Sequence, residues 1–493
     1  MTNRIDGAPA QAAPGPDTAR RAGDWILVAL ACTGQLIVVL DVSIVNVALP
    51  GIRASLGFAE ADLQWVVTAY TLTFAGFMLI GGRASDLFGR RRVFVLSLAL
   101  FTLASLAGGL APNAVWLVVA RTVQGIGGAV LAPATLAILT AAFEEGPRRT
   151  QAIATWTMMG AVGGAIGAVL GGILTEFLSW RWVLLVNVPV GLVLAVLALV
   201  HLNRDTERAP GRLDVLGSLT VTAGFIVLVY GLVRFGKEAS LDPIATAAVL
   251  AGIALLALFV LIEARVAAHP LLPLRIVRQR AVAVANLTMF LLGAGFFSVL
   301  YFVSLYLQGV RGLSALAAGL VFVPFAVTTV IGAQSAARLL KRGTAPRLVI
   351  AAGTLLAALA FAALTLLNAD SSIGWSVVLP GLVVFLGIGL ALAPTAATAI
   401  GGAAPQDAGV VSGLANATRQ LGGSVGLAVL TIVAAARTRG DDAPDATAIT
   451  DGYTTAFAVA AVILVLAALS AALLPGRPGK PRTGTSSRAE ESR

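Results

Sequence analysis

Long apolar segments that contain no charged residue dominate this sequence. Residues 93–111 form one of them, and its length is close to the roughly 20 residues that an α-helix needs to cross a bilayer. Hydrophobic residues make up 58% of the 493 residues and charged residues only 12%, whereas about a quarter of the residues of a soluble domain are charged. The sequence therefore predicts a polytopic membrane protein and excludes a soluble domain with a single anchor.

Apolar windows divide the chain into fourteen predicted membrane-spanning helices. The basic loop 338–347 occupies the same place in the last six helices as residues 81–92 do in the first six, and weakly related halves are common in transporters. The predicted fold is therefore all-α and integral to the membrane, with two six-helix bundles and two inserted helices. The windows are 25–49, 62–82, 93–111, 115–140, 151–175, 181–201, 213–235, 243–266, 281–308, 314–337, 347–368, 375–398, 409–436 and 453–474.

The predicted domain order follows from this grouping and from the polarity of the two chain ends. The first bundle covers residues 25–201, a linker with the two inserted helices covers 202–280, and the second bundle covers 281–474. The segments 1–24 and 475–493 are polar, and their composition is typical of disordered tails.

The stretch 81–92 joins two apolar runs and contains Arg83, Arg90, Arg91 and Arg92. We expect a tight hairpin loop there, on the cytoplasmic side of a plasma membrane, because short basic loops favour that side. With an even number of helices, both termini are then cytoplasmic. The net charge of +10 reflects this topology, since the basic residues lie in short loops and not on a soluble nucleic-acid-binding face.

Three charged residues lie inside apolar windows, away from helix ends: Asp41, in the outer half of the first helix, Arg121 and Arg419. Charges at bilayer depth are costly and therefore indicate functional positions. A buried carboxyl group such as Asp41 can gain and lose a proton near neutral pH; a permanently ionised carboxylate paired to another helix is the alternative. Arginine stays charged, so Arg121 and Arg419 either hold a partner group for function or join helices by packing.

The predicted fifth helix is rich in glycine. A stripe of small residues lets another helix approach closely or slide past, so this helix is predicted to pack tightly against a neighbour, or to act as a sliding seam in a gating motion. The stripe consists of Gly160, Gly163, Gly164, Gly167, Gly171 and Gly172.

Aromatic, amide and guanidinium side chains within the predicted helices are candidates for the wall of a substrate cavity. For the aromatic residues, ordinary packing in the core is the alternative. The candidates are Gln35, Tyr70, Gln124, Trp156, Tyr301, Tyr306, Asn416 and Arg419.

Several motifs, taken together, resemble those of the major facilitator superfamily, and in particular its 14-helix drug:proton antiporter branch. The resemblance runs from about residue 25 to residue 474. The motifs are Gly82-x-x-x-Asp86-x-x-Gly89-Arg90-Arg91-Arg92, Leu40-Asp41-x-x-x-x-Asn46-x-Ala48-Leu49-Pro50, Arg121-x-x-Gln124-Gly125-x-Gly127, Trp180-Arg181-Trp182 followed by Asn187-Val188-Pro189-Val190-Gly191, and Arg419-Gln420-Leu421-Gly422.

The resemblance implies roles for individual residues. Asp41 would couple transport to protons, and Arg121 would support proton transfer. The glycine-rich helix would correspond to the antiporter motif of the branch, although alanines stand within 164–168 where prolines are expected, which predicts a weaker kink. The cytoplasmic gate would include Gly82, Asp86, Gly89, Arg90 and Arg91.

The expected function is a proton-coupled antiporter that exports a lipophilic or cationic antibiotic-like molecule by alternating access. A proton-coupled symporter that imports a small metabolite, and a transport-inactive receptor or scaffold, are the alternatives. An enzyme is not expected, because the sequence contains no GxxxxGK[ST] nucleotide-binding loop, no metal-ligand cluster and no catalytic set. The proton gradient would drive transport without a cofactor, and a monomer would interact with substrate, protons and lipid but not with nucleic acid.

Overall fold

The computed structural model describes residues 16–144, 146–202, 214–237, 242–265, 272, 274–403, 407–438 and 445–474. These residues form α-helices and two short π-helical turns, and none of them lies in a β-strand. Thirteen of the described helices are long and apolar enough to cross a membrane. A further helix is apolar over the shorter segment Trp65–Met78, so each of the fourteen predicted helices has a helical counterpart.

The chain contains seventeen described α-helices in its three parts. The first part contains α1 (Pro16–Leu56), α2 (Glu60–Leu63), α3 (Trp65–Phe88), α4 (Arg90–Gly109), α5 (Ala114–Ala142), α6 (Pro147–Phe177), α7 (Trp182–Leu185) and α8 (Asn187–His201). The inserted pair is α9 (Val215–Lys237) and α10 (Pro243–Arg265). The last part contains α11 (Leu274–Val277), α12 (Arg280–Leu305), α13 (Ala315–Lys341), α14 (Pro346–Leu364), α15 (Leu379–Gly401), α16 (Ala408–Arg437) and α17 (Ala446–Ala472). The π-helical turns are Tyr306–Val310, which continues α12, and Ile373–Val378, which leads into α15.

Side-chain caps show why several helices begin where they do. Asn113 accepts a hydrogen bond from the backbone N–H of Trp116 at 2.9 Å at the start of α5. Asp445 accepts one from Ala448 at 2.7 Å at the start of α17. Each cap satisfies a backbone donor that the first helical turn leaves without a partner. The cap at Asp445 places the start of α17 at Ala446, earlier than the predicted residue 453.

The first helix is longer than the sequence predicts. It begins at Pro16, inside the predicted disordered tail, and continues through Pro50 to Leu56. Asp41 therefore lies near the middle of the apolar span Trp25–Leu56 and not in its outer half. The remainder of the N-terminal tail, and the whole C-terminal tail, lie outside the described residues.

The predicted hairpin loop at 81–92 is mostly helical. Helix α3 extends to Phe88 and α4 begins at Arg90, so only Gly89 breaks the helix. Gly89 has a φ of 90°, a conformation that glycine adopts far more readily than other residues. We call the end of the helices at this turn and at the α13–α14 turn the basic end, and the other end, which includes residues 110–113 and 178–181, the opposite end.

The long helices form two bundles. Helices α1, α3, α4, α5, α6 and α8 pack with one another, and α12 to α17 form the second bundle. The inserted helix α9 lies at the seam and packs against both α3 and α16. Leu72 of α3, Val229 of α9 and Ala428 of α16 share one buried cluster, so α9 contacts both bundles along the same face.

Candidate functional site

Asp41 lies in the interior of the first bundle, and its side chain has no exposed surface. Its Oδ2 accepts a hydrogen bond from Nη1 of Arg121 at 2.5 Å. Its Oδ1 accepts bonds from Nε2 of Gln124 at 2.8 Å and from Nδ2 of Asn187 at 3.0 Å. The carboxylate of α1 is thus held by side chains from α5 and α8.

Arg121 is buried beside Asp41, with 1% of its side chain exposed. Besides its bond to Asp41, it donates from Nη1 to Oε1 of Gln124 at 2.8 Å and from Nε to the carbonyl oxygen of Val66 at 3.0 Å. Its guanidinium carbon lies 4.4 Å from the centre of the Tyr70 ring. Because a cation is stabilised over an aromatic face, α3 supports the arginine through both its backbone and Tyr70.

Two members of this network were absent from the site predicted from sequence. Ser105 of α4 accepts hydrogen bonds from Gln124 at 3.1 Å and from Asn187 at 3.0 Å, and it donates to the carbonyl oxygen of Leu184 at 2.9 Å. An asparagine at bilayer depth is itself a signal for a buried polar partner, so Asn187 was detectable in principle. Ser105 carries no such signal, because isolated serines are common in membrane helices.

The geometry matches the charged form of Asp41. Three N–H groups, from Arg121, Gln124 and Asn187, point at its two oxygens, and an ionised carboxylate is an acceptor only. Protonation would bring an O–H donor into a set of donors and would leave the arginine without its counter-charge. Removal of one partner of a buried ion pair is strongly unfavourable, so protonation of Asp41 requires this network to rearrange.

Tyr70 and Gln124, predicted to line a cavity, belong to this buried network instead. Tyr301 and Tyr306 are also only 1% exposed and lie in the core of the second bundle. The ring of Tyr301 packs edge-on against Phe302, and the hydroxyl of Tyr306 donates to the carbonyl oxygen of Asn368 at 2.7 Å. In this conformation neighbouring helices pack over all four residues, so none of them lines an open cavity here.

Four other cavity candidates keep partial exposure or an unsatisfied polar atom. Trp156 donates from Nε1 to Thr135 at 2.9 Å, which joins α6 to α5. The Oε1 atom of Gln35 is buried and has no hydrogen-bond partner among the described residues. Arg419 donates to Oδ1 of Asn416 at 3.0 Å, and both side chains are half-buried.

The glycines of α6 fall on two faces. A Cβ atom at Gly167 would lie 2.8 Å from the carbonyl oxygen of Leu40, and one at Gly171 would lie 2.7 Å from that of Ile44. Gly163 faces the side chain of Val39 in the same way. This face therefore packs closely against α1, within the first bundle.

The second face of α6 approaches α13 of the other bundle. A Cβ atom at Gly172 would lie 2.7 Å from Cα of Leu316, and one at Gly319 would lie 2.4 Å from the carbonyl oxygen of Ala168. Two turns nearer the basic end, Gly164 has no atom within 4 Å of its Cβ position. The surroundings of Gly160 lie outside the description.

Hydrogen bonds also join the two bundles towards the opposite end. Ser304 of α12 donates to the carbonyl oxygen of Asn46 at 2.9 Å, and Gln308 donates to that of Val47 at 3.0 Å. The backbone N–H of Leu316 donates to Glu176 at 2.9 Å. In this conformation the described direct polar contacts of α1 and α6 with the second bundle therefore lie towards that end.

The predicted gate residues surround the Gly89 turn. Arg91 donates from Nη2 to the carbonyl oxygen of Leu199 at 2.7 Å, which attaches α4 to the end of α8.

Gly82 has open space around its Cβ position, whereas a Cβ at Gly81 would lie 2.4 Å from the carbonyl oxygen of Ala129. Gly81, and not Gly82, is thus the glycine that close packing requires. Arg90 makes a polar or electrostatic contact, and the side chain of Asp86 lies outside the described part.

No group of three or more potential metal ligands occurs among the described residues. The site around Asp41 consists of one carboxylate, one guanidinium and the amide and hydroxyl groups bonded to them. Such a set can hold and release a proton, and it can bind a polar ligand.

Comparison with known proteins shows similar chains over almost the full length. The cephamycin export protein of Amycolatopsis lactamdurans is 44% identical over 453 residues, which cover 90% of this chain and 91% of that protein. The puromycin resistance protein of Streptomyces alboniger is 38% identical over 475 residues, which cover 94% and 93% respectively. The tetracenomycin C resistance and export protein of Streptomyces glaucescens is 33% identical and covers 90% of this chain and 82% of its own length.

The fold is also that of solved transporter structures. A bacterial homologue of the human lysosomal transporter Spinster superposes with a TM-score of 0.65 at 16% sequence identity, covering 94% of this chain and 98% of that chain. The sequence model of the Major Facilitator Superfamily matches residues 31–427. With an all-helical fold of two bundles, a buried ion pair inside the first and full-length relatives in the same family, this chain belongs to the major facilitator superfamily of transporters.

Proposed function

We propose that the protein is a proton-driven antiporter that exports an antibiotic-like small molecule by alternating access between its two bundles. The observation that carries this proposal is the fully buried Asp41–Arg121 ion pair. Intramembrane ionisable pairs of this kind characterise proton pathways. The names of the full-length relatives, a cephamycin export protein and a puromycin resistance protein, support export of an antibiotic.

The buried network explains how a proton would change the first bundle. Asp41 lies on α1, and its partners lie on α5 and α8, with Ser105 of α4 bonded to two of them. Protonation removes the negative charge that balances Arg121, so the helices that hold these groups must shift to find other partners. A ligand changes a conformational equilibrium only as far as it binds the two states differently, and here the proton does so through its effect on the ion pair.

The same helix that carries Asp41 also contacts the second bundle. The carbonyl oxygens of Asn46 and Val47, about one and a half turns from Asp41, accept hydrogen bonds from Ser304 and Gln308. A movement of α1 that follows protonation would therefore act directly on the contact between the bundles. We propose that this contact closes after Asp41 has taken up a proton from the opposite end, and that it opens again once the proton has left at the basic end and substrate has bound there.

The glycine faces of α6 fit the same cycle. The face that contains Gly163, Gly167 and Gly171 keeps α6 attached to α1, and the face at Gly172 meets α13. Close approach of backbones makes such a contact tight but, without large interlocking side chains, separable. We propose that α6 moves with α1 and that its contact with α13 forms the gate at the opposite end.

The orientation and setting belong to the same proposal. With the basic end in the cytoplasm, both termini are cytoplasmic, and the present conformation is closed towards the outside of a plasma membrane. A monomer powered by the proton gradient, with no cofactor, satisfies this mechanism. Proton release at the cytoplasmic side then accompanies export.

The test is transport by purified protein in proteoliposomes with a pH-sensitive dye inside. The wild type is compared with Asp41→Asn and with Asp451→Asn, which changes an exposed carboxylate near the start of α17, after gel filtration shows that all three are folded. We expect the wild type and Asp451→Asn to exchange protons for an antibiotic from a panel that includes cephamycins and puromycin. Asp41→Asn should lose proton exchange but retain exchange of labelled for unlabelled substrate.

The outcomes separate the alternatives. Movement of substrate and protons in the same direction would identify a symporter, and the absence of any flux across the panel would favour a receptor or scaffold. Normal proton exchange by Asp41→Asn would remove Asp41 from the proton pathway.

A further inference from the structure

Arg419 is the second arginine of the described structure that lies deep within a membrane helix, and its surroundings differ from those of Arg121. Its side chain is half-buried, and its hydrogen bond goes to the neutral amide of Asn416. Its guanidinium carbon lies 5.8 Å from the centre of the Phe296 ring. Among the described residues, no carboxylate lies within ion-pair distance of Arg419, whereas Arg121 contacts Asp41 at 2.5 Å.

The acidic residues of the second bundle are engaged or placed elsewhere. Asp407 forms a bidentate ion pair with Arg275, with N–O distances of 2.7 and 2.8 Å, and Asp445 caps α17. Asp370 lies in the turn after α14, where it is fully exposed, and Asp451, near the start of α17, is also exposed. Arg419 is thus a cation at bilayer depth that the described part of its own bundle does not neutralise, although an uncompensated charge in such a place is costly.

The backbone that carries Arg419 is held rigidly. A Cβ atom at Gly293 of α12 would lie only 2.0 Å from the carbonyl oxygen of Arg419, and one at Gly423 would lie 2.3 Å from the Phe297 ring. The two helices therefore meet backbone to backbone beside the arginine. A binding group on such a support loses little freedom when a ligand arrives.

Arg419 of α16 and Phe296 of α12 lie on helices of the second bundle that also contact the first bundle. Phe296 lies on α12 about two helical turns from Ser304, on the same face, and Ser304 bonds to α1 of the first bundle. On α16, Ser424 contacts Thr71 of α3 at 2.5 Å. Arg419 and Phe296 each lie nearer the basic end than these contacts, and the ring of Phe296 is half-buried.

A second polar group at this point also lacks a partner. Gln420, the next residue, is 4% exposed, and its Oε1 atom has no hydrogen-bond partner among the described residues. Buried polar atoms are nearly always bonded to protein or to something else. Among the described residues, a guanidinium without a carboxylate partner, a half-buried aromatic ring and an amide with an unsatisfied oxygen therefore occur close together on α12 and α16.

We propose that Arg419 is the anion-binding residue of the substrate site, and that the transported compound carries a carboxylate or similar acidic group beside an apolar body that packs on Phe296. The inference rests on the proposed transport function, and it narrows the lipophilic or cationic substrate expected from sequence to an acidic compound with an apolar body. A guanidinium binds a carboxylate through charge-assisted, often paired hydrogen bonds. An acidic substrate supplies the counter-charge that the described protein residues do not.

The charge of the substrate has a measurable consequence. With one proton taken in per cycle, export of a monoanion moves two positive charges inwards, whereas export of a monocation moves none. An inside-negative membrane potential therefore drives export of the anion and leaves exchange of a cation unaffected. This difference tests the substrate class independently of affinity.

The experiment uses the full chain in detergent and in proteoliposomes, with a panel of carboxylic acids that includes a cephamycin, each paired with its uncharged methyl ester, and with puromycin as an amine. Equilibrium binding and proton release are measured for the wild type, R419Q, R419K and the control R278Q, which changes an exposed arginine at the basic end. We expect acids to bind at least about tenfold more tightly than their esters, because a charge-assisted hydrogen bond contributes about this factor or more. R419Q should remove that preference, R419K should keep part of it, and R278Q should match the wild type.

Equal binding of acids and esters, a preference for puromycin alone, or an unchanged preference in R419Q would each overturn the proposal while the antiporter mechanism stands. Acid binding that depends on Arg419 without any proton movement would overturn the antiporter and keep the anion site. Failure to bind any acid of the panel would overturn the anion site.

Thermal unfolding distinguishes a ligand-binding role from a structural one. If Arg419 serves a ligand, R419Q should unfold at the same temperature as the wild type or higher, because an uncompensated charge has been removed. R121Q, which leaves the buried Asp41 without its partner, should unfold at a lower temperature. A decrease in R419Q as large as that in R121Q would assign Arg419 to packing and overturn the proposal.

Discussion

Nη1 of Arg121 lies 2.5 Å from Oδ2 of Asp41, and both side chains are enclosed by the first bundle. The two residues are eighty positions apart in the sequence, on different helices. Their charges balance each other where neither is stable alone. Under the proposed mechanism, stability and proton coupling of the first bundle therefore depend on the same pair of side chains.

The effects of single and double substitutions of this pair on the free energy of unfolding should not be additive. Asp41→Asn or Arg121→Gln alone leaves one buried charge without its partner, which is expected to cost about 3–5 kcal/mol of unfolding free energy. The double variant is neutral and should recover much of that loss, although it cannot bind the transported proton. Denaturant unfolding of the four proteins measures the coupling; additive effects would contradict a direct ion pair.

Asn187 provides a test of a residue that the functional prediction from sequence did not include. Asn187→Ala removes one hydrogen-bond donor from Asp41 and one from Ser105. We therefore expect the free energy of unfolding to fall by about 1–3 kcal/mol and proton exchange to become slower. Asn286→Ala is the matched control, because the described hydrogen bond of that side chain goes to its own helix at Val282. Equal transport rates in both variants would show that the donor from α8 is dispensable.

Alanine at two glycines of α6 should separate the gate from its surroundings. Gly172→Ala places a Cβ 2.7 Å from the backbone of α13, whereas Gly164→Ala meets no atom within 4 Å. We expect Gly172→Ala to push the bundles apart at the opposite end and Gly164→Ala to leave them in place. In a Cys32→Ser background, spin labels at the exposed positions Ala54 and Asp370 should report a longer distance in the first variant only.

The turn between α3 and α4 offers a matched glycine pair. Gly89 has a φ of 90°, so Gly89→Ala should cost about 1–3 kcal/mol through backbone strain. Gly82 lies inside α3 with open space at its Cβ position, and Gly82→Ala should be neutral or slightly stabilising, because alanine favours helix. Thermal unfolding of both proteins checks the pair, and similar losses of stability would contradict a special conformational requirement at Gly89.

Local patterns in the sequence were sufficient for the membrane class and for the positions of the helices. Apolar length and the absence of charge are properties of single segments, and each segment must satisfy its own backbone in lipid. For the same reason Asp41 and Arg121 could be selected as candidates, because a charge at bilayer depth is visible without knowledge of any partner. The predicted positions of helix ends were less accurate, because a single residue determines a cap such as Asp445 or a break such as Gly89.

The tertiary structure decided which residues act together. Asn187 and Ser105 join Asp41 from distant parts of the chain, and Tyr70 became a support for Arg121 because α3 packs against α5. The packing of α6 between α1 and α13 likewise divided one glycine stripe into a fixed face and a face towards the other bundle. Sequence alone determined that charges and small residues lie within the membrane. Only the packing of helices, which depends on contacts between residues far apart in the chain, determined that Arg121 is neutralised by Asp41 and that Arg419 has no carboxylate partner among the described residues.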